Sequence, residues 1–166
     1  MESEMAIRTS RHPDRQSFGT LIYSILSALQ GTTALTGASS SPTGGGTYIL
    51  DRALGVAVTL PAATGTGLKQ RFVVKTAASG GSYVISAAGT DVFQGGVSGF
   101  NSSSGATLTF SGAAASNNNT VTLDGTNGAV AAGEYVEFTD VRTGVWIVNG
   151  MLEHSAGAFS TPFSHV

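Results

Sequence analysis

The chain has 166 residues, about half of them Gly, Ala, Ser or Thr, and only 11% are charged, with a net charge of −2. So few cations exclude a surface built to neutralise a run of phosphates, and the absence of Cys excludes disulfides, thiolate metal sites and cysteine nucleophiles. Leu, Ile, Val and Phe total 39 residues, which allows one core domain packed largely with Ala, Val and Thr.

Residues 1–15 carry six of the eighteen charges, and residues 16–50 carry none. The residues ahead of the first apolar run include Glu2, Glu4, Arg8, Arg11, Pro13 and Arg15, which is unlike a secretory signal, and that run is too short to cross a bilayer. Phe18, Leu21, Ile22, Ile25, Leu26 and Leu29 recur at helical spacing and predict an amphipathic helix over 17–30, with Ser17 as N-cap and Gly31 as its stop. A helix this short is marginal alone in water. It is expected to dock, either on the chain's own β body or on another subunit or larger partner.

Gly-Ala-Ser-Ser-Ser-Pro-Thr-Gly-Gly-Gly at 37–46 has the composition of a flexible linker. The expected division is therefore an N-terminal arm, 1–46, and a β-rich body, 47–166. Within the arm Arg8, Arg11 and Arg15 are candidate partners for acidic groups on a binding surface, and the six apolar helix residues supply a stripe that needs covering.

In the body, short strands are punctuated by Gly-rich turns. The predicted strands are 47–51, 56–60, 70–76, 82–87, 91–93, 106–110, 120–124, 134–141 and 145–152. Several alternate apolar and polar residues, as in Val136 and Phe138 against Glu137 and Thr139. Turn chemistry at 78–81 and 124–128 separates them, and Arg142-Thr143-Gly144 can close the last two strands as a hairpin. The pattern predicts a mainly β fold, an antiparallel β-sandwich or jelly-roll-like barrel. The last strand breaks the alternation, with Val145, Ile147 and Met151 on one face and Trp146, Val148 and Leu152 on the other. It is expected to be central in the body, or else to lay its second face against a neighbouring subunit.

Catalytic signatures are missing from the sequence. Gly96-Val97-Ser98-Gly99 is one residue short of a nucleophile elbow. His154 and His165 fall in a C-terminal tail that reads as poorly ordered, and neither phosphate-loop pattern occurs. Glu134, Glu137 and Asp140 form the densest acidic group; Glu134 and Glu137 face opposite ways in a strand, which suits solvated edge charges better than a paired acid and base. Asp124-Gly125-Thr126-Asn127-Gly128 offers oxygens for calcium, but a reverse turn explains it more simply. No enzyme activity, metal or cofactor is expected.

Four stretches carry a resemblance: Leu60-Pro61-Ala62-Ala63-Thr64-Gly65-Thr66-Gly67, Asp91-Val92-Phe93-Gln94-Gly95-Gly96, Val121-Thr122-Leu123-Asp124-Gly125, and Gly144-Val145-Trp146-Ile147-Val148-Asn149-Gly150. In their order, spacing and composition, residues 47–166 resemble the head decoration (cement) proteins of tailed bacteriophages. The resemblance implies a β-rich knob, usually a homotrimer, fixed to the outer surface of the capsid by an N-terminal extension. The implied partners are the major capsid protein and further copies of the chain, with no nucleic acid and no membrane. A receptor-binding head-fibre or tail-spike module is the alternative.

Overall fold

The computed structural model describes residues 31–101, 104–112, 117–155 and 160–166, and the predicted helix 17–30 lies outside them. The chain divides into two compact units, Met1–Gly31 and Thr32–Val166. The described residues of the second unit hold twelve strands: β1 Thr32–Leu35, β2 Ser39–Ser40, β3 Gly46–Leu50, β4 Ala57–Thr59, β5 Lys69–Val74, β6 Tyr83–Ser86, β7 Val92–Phe100, β8 Thr107–Ser111, β9 Thr120–Leu123, β10 Tyr135–Arg142, β11 Val145–Glu153 and β12 Phe163–Ser164. They form a seven-stranded sheet, in the order β1-β3-β5-β10-β11-β7-β8, and a five-stranded sheet, β12-β9-β6-β4-β2.

Both sheets are mixed, which corrects the antiparallel expectation and with it the jelly-roll reading. From β1 to β6 the chain alternates between the sheets, pairing β1, β3 and β5 in parallel in one and β2, β4 and β6 in parallel in the other. These are three turns of a two-sheet solenoid, in which each crossover to the next parallel strand is itself a strand of the opposite sheet. The second half is folded differently. β10 and β11 form a hairpin through Arg142-Thr143-Gly144, as the sequence predicts, and fill the gap between β5 and β7.

All nine predicted strands are present, most within a residue or two of the expected bounds. β7 runs seven residues further than expected, to Phe100, because its glycines permit close approach to neighbouring strands instead of ending the strand. A Cβ on Gly96 would overlap the Phe110 carbonyl.

The body begins at Thr32, which corrects the predicted boundary at residue 47. The stretch read as a linker contains β2 and is held to the sheet. The Gln70 side-chain amide donates to the carbonyls of Pro42 and Gly44 at 2.9 and 2.8 Å, and the Tyr48 hydroxyl donates to the Gly44 carbonyl at 2.7 Å. An edge strand needs few apolar anchors, and Leu35 alone is buried in β1.

Leu50, Phe72, Phe138 and Trp146 from the larger sheet join Val58, Tyr83, Ile85, Val121 and Leu123 from the smaller in one buried cluster. At about 1.5–3 kcal/mol for each fully buried large apolar side chain, this shared core is the main stabilising term. The C-terminal tail is also part of it. Phe163 is buried and β12 pairs with β9, which corrects the expectation of poor order for the described residues 160–166.

Candidate functional site

Of the acidic residues that could carry chemistry, Asp91, Glu134 and Asp140 are engaged with backbone. Strand alternation places Asp140 on the same side of β10 as Val136 and Phe138, and so inside the body. Its carboxylate accepts the N–H groups of Gly65 at 2.6 Å, Thr64 at 3.0 Å and Thr66 at 3.0 Å, and the Thr66 hydroxyl at 2.8 Å. Burial by itself would raise this carboxyl's pKa, but the donors of Thr66, Gly65 and Thr64 outweigh it and hold the group at about 2.

Asp91 makes a related contact, accepting the Ala63 N–H at 2.6 Å. The Gly144 N–H in turn donates to the Ala63 carbonyl at 3.1 Å, and the Val92 N–H donates to the Gly144 carbonyl at 2.9 Å. The stretches beginning at Leu60, Asp91 and Gly144 therefore meet at one corner of the body, with Asp140 behind the loop. The stretch from Val121 to Gly125 lies in and after β9 of the other sheet.

Glu134 holds a second loop. Only 4% exposed, it accepts the N–H groups of Ala129 at 3.0 Å, Ala131 at 2.7 Å and Glu153 at 2.8 Å. Burial pushes its carboxyl up, and the surrounding N–H groups offset this only in part. This corrects its reading as a solvated edge charge. Glu134 and Glu137 do face opposite ways, but Glu134 shares the inward parity of Val136. Glu137 faces outward, with a carboxylate oxygen 4.0 Å from the Lys69 ammonium nitrogen. The strand parity of residues 134 to 140 already carried this information.

His154 is fully buried at the end of β11, with Nδ1 3.2 Å from the Asn127 side-chain oxygen and its ring 5.5 Å from that of Phe110. Burial lowers its pKa, with the Asp124 carboxylate acting the other way. His165 lies near the C-terminus, with Nδ1 2.8 Å from the Asn117 carbonyl oxygen. In the 124–128 segment the Asp124 side chain caps the bend that follows it. Asp124 Oδ1 accepts the N–H groups of Thr126 and Asn127 at 2.8 and 2.7 Å.

Among the described residues no cluster of three or more His, Asp or Glu side chains is arranged to hold a metal ion. The candidate partner-binding residues Arg8, Arg11, Arg15, Phe18, Leu21, Ile22, Ile25, Leu26 and Leu29 all lie outside the described residues. Among the described residues, one group of charges lies on the outer face of β5 and β10. There Lys69, Arg71 and Glu137 lie near Tyr135, and the Arg71 guanidinium rests 3.8 Å from the Tyr135 ring centroid. No family model matches the chain, and the comparison with curated proteins finds no match.

Proposed function

We infer that this protein is a structural component of a virion, a decoration protein that binds the outside of a phage capsid through its N-terminal arm. The observation that carries the reading is how the acids within the fold are used. Asp91, Glu134 and Asp140, the groups with which a hydrolytic or lyase site would be built, accept backbone N–H groups and fix loops. A body whose polar interior secures its own turns suits a durable scaffold. The separation of the chain at Gly31 and Thr32 into two compact units suits a division between attachment and knob.

In this reading the arm supplies the contact with the major capsid protein. The arginines would meet acidic groups there, and the apolar stripe would fill a groove between subunits. Binding of the purified protein to intact heads that lack it is the direct test. Saturable binding with a fixed number of copies per head is expected, and no association at micromolar protein would overturn the proposal.

A further inference from the structure

β11 lies inside the seven-stranded sheet, yet its outward side chains remain accessible, with Met151 47% exposed. Across neighbouring strands the registered partners form level rows on this outer face. One row is apolar: Ile49 on β3, Val73 on β5, Tyr135 on β10 and Met151 on β11. The next is polar: Thr47, Arg71, Glu137 and Asn149 on the same four strands. Most other charged groups of the body have work within the fold, as with the loop-holding acids, the pairing of Asp51 with Lys75, and the bond from Arg52 to the Gly55 carbonyl. Lys69, Arg71 and Glu137 are instead gathered on this face.

The two rows are complementary to themselves. A two-fold axis parallel to the strands and midway between β5 and β10 sets β5 of one copy over β10 of another, and β3 over β11. Val73 then faces the Tyr135 of the second copy and Ile49 faces its Met151, apolar on apolar. At the level of the polar row Arg71 faces the second copy's Glu137, and Thr47 faces its Asn149. The four charges near the axis alternate in sign, so each guanidinium has carboxylates on two sides. An axis along β10 would instead stack Glu137 on Glu137.

The geometry points to a second copy of this chain as the occupant of the outer face of the seven-stranded sheet, in a two-fold, face-to-face dimer. Packed sheets are rotated by about 30°, and the pairs beside the axis are displaced least by that rotation. Arg71 is already stacked on Tyr135, so less side-chain freedom is lost when it pairs. This contact also covers Met151, the exposed large apolar residue of β11. It departs from the three-fold assembly that the sequence resemblance implies, and it stands independently of the virion reading.

The test is the solution mass and self-association of the full-length protein. Light scattering after size exclusion is expected to give twice 16.7 kDa. Arg71→Glu and Glu137→Arg should each weaken the dimer about tenfold or more, and the double variant should recover most of that loss. Met151→Lys, at an exposed position, should weaken it without altering the melting of the body. A monomeric or trimeric wild-type mass would overturn the proposal. So would single reversals that leave self-association unchanged, or a double variant no stronger than the singles. Reversals that abolish head binding while the mass stays fixed would assign the face to the capsid instead, and also overturn it.

Discussion

Asp140 and Gly65 stand 75 positions apart, and the Gly65 N–H donates to Asp140 Oδ1 at 2.6 Å. With the neighbouring N–H groups of Thr64 and Thr66, this contact makes one ionised carboxylate the anchor of the loop between β4 and β5. Asp140→Asn keeps the shape but replaces a charged acceptor with an amide that also carries donors. It should cost about 2–4 kcal/mol, measured by urea unfolding.

The same carboxylate sets a pH dependence. Its pKa is about 2 in the folded protein and about 3.9 in an unfolded chain. The unfolded state therefore binds the proton first, so the stabilisation is fully present above about pH 4 and is lost as pH falls toward 2. In Asp140→Asn this part of the acid transition should disappear. An unchanged slope between pH 4 and pH 2 would show that other acids carry it.

His154 acts at milder pH. Its folded pKa lies below the ordinary value because of burial, so the unfolded chain takes up the proton at about pH 6.5 while the folded chain resists it. Stability should thus fall as pH drops below about 6.5 and go on falling until the folded pKa is passed. His154→Gln should flatten the melting temperature between pH 7 and pH 5, and an equally steep decline in the variant would remove His154 from this role.

Much of the strand pattern was legible from alternation and turn residues, and the pairing was not. Val136, Phe138 and Asp140 announce one inward face of β10, and Arg142-Thr143-Gly144 announces its hairpin. Nothing local distinguishes a Gly-rich turn that closes a hairpin from one that carries the chain across to the other sheet. The strands from β3 to β6 therefore read as members of antiparallel sheets. β1 and β2 escaped notice because Thr32-Thr33-Ala34 and Ser39-Ser40 contribute backbone pairing rather than buried apolar groups. The loop-holding role of Asp91 depends on a contact across 28 positions that no local pattern reveals.

The stacking of solenoid turns makes its own prediction. Gly55 and Gly81 sit where the turn between β3 and β4 meets the turn between β5 and β6. A Cβ on Gly55 would overlap the Ser82 carbonyl, and one on Gly81 would overlap the Leu54 carbonyl. Backbone cannot swing aside as a side chain can, so Gly81→Ala should cost about 2–4 kcal/mol. Gly67→Ala is the contrasting case. Its φ is +75°, but a Cβ there would meet nothing within 4 Å, so only the backbone strain of about 1 kcal/mol applies. Comparable losses in the two variants would mean that close approach is not what requires Gly81.

Attachment is tested by a cut at the boundary the fold defines. A truncation after residue 36, placed by composition alone, would remove β1 and expose β3 as a new sheet edge. Deleting residues 1–31 leaves all twelve strands intact, so the shortened protein should keep the β-type circular dichroism and cooperative melting of the body. It should also lose head binding, because the deletion removes Arg8, Arg11 and Arg15 together with the apolar stripe from Phe18 to Leu29. Covering even half of that stripe, at about 1.5–3 kcal/mol per side chain, outweighs exposed ion pairs worth about 0–1 kcal/mol each. Leu21→Ser with Ile25→Ser should therefore weaken binding more than Arg8→Ala with Arg11→Ala, and only the arginine pair should leave a salt-dependent defect. Full occupancy of heads by the shortened body would move attachment to the β domain.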